Sequence, residues 1–267
     1  MKKTLIALMA LAGVAMAGET YWSFEDTTSS AGENVYTGQI TGTVTMENTT
    51  ATTGSVLGND STANLGYSMS FVDGSYIQYS NADLGLTLKY GNDATLSYTI
   101  MAYVKFDNVN GEQFFFGTGQ TNSSMGIGLG IKDGGKLDWL SKTVNHYTFD
   151  YTVESDTWYH LAFAYDHTDN TVEAFVNGTS AGSVTLSNGM AGNGWSAMTN
   201  HVTIGAASAH NAQDDFAGAV AHLQIITGEA LGADAVVQYA SNIVPEPATA
   251  TLSLLALAGL AARRRRK

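Results

Sequence analysis

The chain has 267 residues with no cysteine and only two prolines. Without cysteine it can form neither a disulfide nor a thiolate metal site, so its apolar core alone must hold the fold. Arginine is missing until Arg263, Arg264, Arg265 and Arg266, which stand together just before Lys267. With Lys2 and Lys3, these account for seven of the twelve basic residues, against 24 acidic ones in the whole chain. Residues 18–244 keep five lysines against 23 acids, a net charge of −18. Phosphate recognition rests on Arg and Lys, so nucleic acid and anionic lipid surfaces are poor partners. The acid excess suits solubility, cation binding or neutral glycans.

Both prolines fall in one place, Val244-Pro245-Glu246-Pro247, followed by an apolar run over 248–262 and the basic tail. About fifteen apolar residues at ~1.5 Å rise cover roughly 22 Å, short of a ~30 Å hydrocarbon core unless flanking residues snorkel. A short transmembrane helix stopped by cytoplasmic positive charge fits that pattern. At the other end, Lys2 and Lys3 precede an apolar stretch over 4–14, and Ala15-Met16-Ala17 is the small-x-small pattern that signal peptidase reads. Cleavage is expected before Gly18. Three segments follow: a signal peptide over 1–17, a body over 18–243 and a terminal signal over 244–267.

Pro245-Glu246-Pro247, the short apolar helix and the terminal arginines, in that order, resemble the PEP-CTERM sorting signal of Gram-negative bacteria. The resemblance implies that an exosortase-type transpeptidase removes the tail during delivery to the cell surface or extracellular matrix. An ordinary membrane anchor that is never cut is the alternative.

In the body, short runs of β-branched and aromatic residues alternate with Gly, Ser, Thr and Asn, an all-β rhythm. The clearest strand covers 95–106, where Leu96, Tyr98, Ile100, Ala102, Val104 and Phe106 form one apolar, buried face. A strand over 158–165 turns through 166–170 into one over 171–176. Asn177-Gly178 then makes a two-residue turn of the I′ kind into a strand over 183–186. Residues 67–72 and 76–79 flank Asp73-Gly74 as another hairpin candidate. Further strands are expected over 21–24, 114–116, 126–131, 136–140, 202–204 and 218–226, and a helix over 234–239. The stretch 32–64 reads as a long loop or as edge hairpins, with weak alternation over 39–46. About a dozen strands and one short C-terminal helix indicate an antiparallel two-sheet sandwich or jelly roll.

Several pieces carry a second resemblance: Asp73-Gly74-Ser75-Tyr76-Ile77, Tyr98-Thr99-Ile100-x-Ala102-Tyr103-Val104-Lys105, Trp158-Tyr159-His160-Leu161-Ala162-Phe163-x-Tyr165-Asp166, Val176-Asn177-Gly178, Ile204-Gly205, Phe216-x-Gly218 and Leu223-x-Ile225. In this order they look like a laminin-G-like domain of the concanavalin A-like lectin/glucanase superfamily. The resemblance covers roughly 21–239 and implies a jelly roll in which Trp22 and Trp158 are core residues. It also implies Ca²⁺ at loop ends, with Asp73, Asp214 and Asp215 the first candidates and Asp166, Asp169 and Asn170 a second cluster.

Relatives that cleave glycans use a Glu-x-Asp-x-x-Glu strand; Glu154-x-Asp156-x-x-Tyr159 lacks the last acid and sits at a turn, so it is expected to be solvated. The six histidines, His146, His160, His167, His201, His210 and His222, show no nucleophile elbow or metal spacing. His160 and His222 fall in strands and are expected as partly buried, hydrogen-bonded rings. Gly126-x-Gly128-x-Gly130 is an alternating strand pattern, not a phosphate loop. Sugar rings dock on exposed aromatic faces, and Trp195 and Trp139 are the best such platforms, followed by Tyr147 and Tyr151. The leading expectation is a non-catalytic, exported surface or matrix protein binding glycans or glycoproteins. A glycan-cleaving enzyme on the same fold and a purely structural matrix component are the alternatives.

Overall fold

A computed structural model of the chain describes residues 18–22, 39–52, 62–80, 84, 88, 96–119, 125–141, 145–186, 201–207 and 216–243. Among them the chain runs through β1 (Gly18–Trp22), β2 (Gln39–Thr41), β3 (Val44–Thr52), β4 (Thr62–Phe71), β5 (Tyr76–Ser80), β6 (Tyr98–Phe106), β7 (Gln113–Gly119) and β8 (Met125–Lys132). It continues through β9 (Lys136–Ser141), β10 (Asn145–Thr152), β11 (Trp158–Asp166), β12 (Thr171–Val176), β13 (Thr179–Thr185), β14 (His201–Ile204), β15 (Gly218–Thr227) and helix α1 (Ala233–Ile243). The first sheet has the order β13-β12-β11-β6-β15-β4-β3, and the second β10-β9-β8-β7-β14-β5-β2. β1 joins the first sheet beside β4, because β4 pairs with residues 218–220 of β15 and β1 with residues 223–227. Every pairing between described strands is antiparallel, as the expected jelly roll requires.

The two sheets meet through one continuous core. Ile100, Val104, Leu161 and Phe163 from the first sheet pack with Phe116, Ile127, Leu129 and Trp139 from the second. Alternation along β6 predicts one buried face, but Thr99, Met101 and Tyr103 on its other face are buried as well. The reason is α1: its Val236 packs with Met101, Ala162, Ala164, Phe175 and Ile226 on the outside of the first sheet. Val236 and Ala240, four residues apart, lie on the helix face that the sheet covers, and Asp234 supplies negative charge to the first turn.

Asn177 and Gly178 both hold left-handed φ, 51° and 77°, as the turn between β12 and β13 demands. The Asn177 amide oxygen accepts a bond from the His160 N–H at 2.9 Å, fixing the turn to β11. One expectation changes. Residues 67–72 and 76–79 do not form a hairpin: β4 lies in the first sheet and β5 in the second, so the Asp73-Gly74 turn carries the chain between layers. Of the two readings of 32–64, edge strands are what forms: β3 pairs with β4 as a hairpin at the edge of the first sheet, and β2 is the edge strand of the second. The glycine alternation of β8 also has a reason, since Gly128 faces the Phe114 ring and Ala207, and a Cβ on Gly130 would collide with the Gln113 carbonyl.

His222 sits at a bulge between Ala221 and Gln224 with φ 50°, and its Nε2 bonds the Leu65 carbonyl at 2.6 Å. His160 differs from expectation: it is fully buried against Tyr103, ring centroids 4.9 Å apart, and neither ring nitrogen has a hydrogen-bond partner.

Burial, with a smaller push from His222, lowers the His160 pKa to about 3. The unfolded chain takes up this proton below about pH 6.5, where the fold still refuses it, so stability falls as pH drops through that window by ~1.4 kcal/mol per unit. Thermal unfolding followed from about pH 7 down to about pH 4.5 should show a falling Tm in the wild type and a shallower fall in His160→Phe. Equal slopes would show that His160 is not the group responsible.

Candidate polyhydroxyl-binding cleft

Three connections converge at one end of the sandwich. The turn after β4 brings Asp73, the link from β6 to β7 brings Asn108, Asn110 and Glu112, β7 opens with Gln113, and Ala217 precedes β15; together they line a cleft of about 240 Å³. Gln113, only 4% exposed, holds the link in shape. Its Nε2 donates to the Asn108 carbonyl at 2.8 Å and side-chain oxygen at 3.0 Å and to the Asn110 carbonyl at 3.2 Å. Its Oε1 accepts from the Ala217 N–H at 3.2 Å. Gly111 takes φ 69°, the left-handed corner that lets the link fold back before Glu112.

Glu112 joins the cleft to the outer face of the second sheet. Its Oε1 lies 3.2 Å from Lys132 Nζ and 3.4 Å from His146 Nε2. The His146 Nδ1 in turn sits 2.6 Å from Asp138 Oδ2. Asp138 is fully buried and its Oδ1 has no partner. Burial pushes its carboxyl above the ordinary range, and Glu112 adds to the push, while the hydrogen bond and charge of His146 and the charge of Lys132 oppose it. The register places these groups together: on adjacent strands Leu140 faces His146 and Asp138 faces Thr148, so Asp138 and His146 are diagonal neighbours on one face.

Among the expected platforms, Trp139 is overturned. It is fully buried between the sheets, bonds Ser141 Oγ through Nε1 at 2.9 Å and stacks on Tyr98 and Tyr165. Tyr147 and Tyr151 are half-buried and pack on the same core. They belong to β10, whose alternation of Tyr147, Phe149 and Tyr151 is a strand's inward face, not a display of rings. Trp195, Asp214, Asp215 and His210 lie outside the described residues, as do Ala15, Ala17 and the terminal signal with Pro245, Glu246, Pro247 and Arg263 to Arg266. For Trp22 only the strand is described, whereas Trp158 packs half-buried against the cluster of Leu65, Tyr103, Ala221 and Ala240.

Asp73 is exposed and lines the cleft. Asp166 and Asn170 instead organise their own hairpin, Asp166 Oδ1 accepting from the Thr168 N–H at 2.8 Å and Asn170 Nδ2 donating to the Leu186 carbonyl at 2.7 Å. Glu154 and Asp156 are exposed in the turn from β10 to β11. No local spacing in the sequence groups Glu112 and Asp138 with His146, which stands there as one of six scattered histidines. Recognising β10 would have supplied the signal, since it places His146 beside Asp138.

Comparison with known proteins gives two family matches and a set of structural likenesses. Residues 73–237 match the family described as the concanavalin A-like lectin/glucanases superfamily. Residues 244–267 match the PEP-CTERM protein-sorting motif. No curated protein matches the chain. Among solved structures, domain 4 of AbnA, an extracellular arabinanase from Geobacillus stearothermophilus in complex with arabinotriose, is similar with TM-score 0.56 and 19% identity, covering 83% of this chain and 98% of that one. A Trypanosoma rangeli sialidase follows at TM-score 0.48 and 17% identity, covering 67% of this chain and 28% of the sialidase. A SAP-like pentraxin from Limulus polyphemus reaches TM-score 0.41 and 17% identity, with 53% and 68% covered.

The buried position of Trp139 is open to a direct check. Trp139→Ala should cost about 3–5 kcal/mol in denaturant unfolding, the range for an aromatic ring removed from a packed core. A loss below about 1 kcal/mol, typical of surface positions, would return the ring to the surface as a binding platform.

Proposed function

The chain belongs to the concanavalin A-like lectin/glucanases superfamily, and from that premise we propose that it is a non-catalytic module binding neutral glycans, free or carried by glycoproteins. Its PEP-CTERM motif implies export to the cell envelope or surface and processing by exosortase on the way. No described helix is long and apolar enough to cross a membrane, and the run over 248–262 lies outside the described residues; its service as a transient anchor belongs to the proposal.

The observation that carries the binding role is the lining of the cleft. Among the described residues that line it, Asp73, Asn108, Asn110 and Glu112 present amide and carboxylate groups, Gln113 holds them in place, and none is basic. Such a surface matches hydroxyl groups and repels anions. Among the described residues no aromatic ring lines it, so hydrogen bonds set ligand orientation there, with Trp195 proposed to supply an apolar face. The arabinanase domain of similar fold was found with arabinotriose, which makes arabino-oligosaccharides the first ligands to try. The absence of catalysis is proposed because Glu154 and Asp156 stand exposed in a turn and Asp138 is buried against His146.

A structural Ca²⁺ is part of the same proposal. Among the described residues no three His, Cys, Asp or Glu side chains are grouped to hold a metal. Asp73 alone would therefore need Asp214 and Asp215, and Ala217, two positions after Asp215, lines the cleft with it. Carboxylate and carbonyl oxygens are the donors that Ca²⁺ prefers. Chelation should lower the Tm of the exported protein, and restored Ca²⁺ but not Mg²⁺ should recover it; a Tm indifferent to both would remove the metal.

The glycan reading is tested on an array that includes arabino-oligosaccharides, with the exported protein, Glu112→Gln and Trp195→Ala, and with the wells analysed for cleavage products. The expected result is binding of neutral glycans weakened about tenfold, or about 1.4 kcal/mol, in Glu112→Gln, with no cleavage. Cleavage products would make the protein an enzyme, and silence across the array would leave a structural matrix role.

A further inference from the structure

We propose that His146, held by the buried carboxyl of Asp138, is a positioning residue that orients Glu112 in the cleft and makes glycan affinity depend on one proton. The inference rests on the reading of the cleft as a glycan site.

The arrangement has an odd cost if packing were its only purpose. Asp138 stands on β9 between Gly130 of β8 and Thr148 of β10, fully buried, with one oxygen bonded to His146 and the other unpartnered. A neutral or apolar side chain there would spare the desolvation of a carboxyl. What Asp138 does supply is a fixed ring. His146 Nδ1 is held at 2.6 Å, and the ring's far nitrogen then points at Glu112 Oε1, 3.4 Å away. Lys132 grips the same oxygen from β8 at 3.2 Å. Both donors act on Oε1, which leaves Oε2 as the acceptor for a ligand hydroxyl in the cleft that Glu112 lines.

A count of protons gives the dependence. The contact of Asp138 with His146 and the contact of His146 with Glu112 each need one proton between their heavy atoms. Asp138, His146 and Glu112 satisfy both only when they hold two protons among them. With Lys132 the four groups then carry no net charge. When one proton leaves, a ring lone pair faces a carboxylate at one of the two contacts, and Asp138, with the shorter contact, keeps the proton that stays. Glu112 is then held by Lys132 alone and can leave its binding orientation. Among the described residues, the charged groups meeting His146 are Asp138 from β9 and Glu112 from the link before β7, with Lys132 of β8 acting through Glu112.

The test measures affinity for a glycan bound on the array from about pH 5 to about pH 9, in the exported protein, His146→Gln, Asp138→Asn and Glu112→Gln, with Tm recorded in the same buffers. In the wild type, affinity should fall about fivefold toward the alkaline end in a one-proton step, the worth of one ordinary hydrogen bond, since Lys132 still holds Glu112. His146→Gln should bind more weakly and show no such step. Should that variant fail to fold, Glu112→Gln, changed at a half-exposed side chain, must also lack the step. A step that survives in either variant, or an affinity loss that merely follows Tm, overturns the inference and leaves the glycan site standing. No glycan binding by the wild type at any pH overturns both.

Discussion

The stacking of two sheets across an aromatic seam is the constraint on which the other features depend. Trp139 of the second sheet lies against Tyr98 and Tyr165 of the first at centroid distances of 6.5 and 6.3 Å, and those two tyrosines are 5.0 Å apart. With no cysteine in the chain, this dry contact has to fix the relation of the sheets that disulfides hold in many exported domains. It also fixes direction. Because Trp139 and Leu137 point into the seam, their neighbours Asp138 and Leu140 must point out. The buried carboxyl that holds His146 is thus a consequence of where the indole goes.

The same alternation explains what could be read from the sequence. The strands β6, β11 and β12 were legible because their apolar residues recur with period two and Asn177-Gly178 can only be a tight turn. The layer change at Asp73-Gly74 was not, since a turn of that composition serves a hairpin and a crossover equally well; the choice is made by pairing with β15 and β14, far away in the chain. Trp139, Tyr147 and Tyr151 show the limit more sharply. A ring beside polar residues reads as a platform until it is known which face of the strand the other sheet covers. In β10 the polar partners His146, Thr148 and Asp150 were the outward set, and the rings were the core.

The array around Glu112 was hidden for a different reason. Its members come from the link before β7 and from β8, β9 and β10, so no local spacing announces them. Only the register of three consecutive strands brings Lys132, Asp138 and His146 to one face. Composition still left a trace, because Lys132 is one of just five lysines in the strongly acidic body. A cation so scarce, placed on a carboxylate that lines a cleft, has a stronger claim to function than it would in a chain rich in lysine.

Helix α1 gives the molecule two different outer faces. It seals the first sheet through Val236 and Ala240, and its last residue, Ile243, is followed directly by the sorting motif at 244–267. Asp138 and His146 lie on the outer face of the second sheet, and Glu112 passes from them to the cleft. The helix that ends at Ile243 and the face that carries the charged array are therefore on opposite sides of the sandwich. Because α1 is docked by buried apolar contacts, the course of the chain is set by the fold up to the residue before the motif begins.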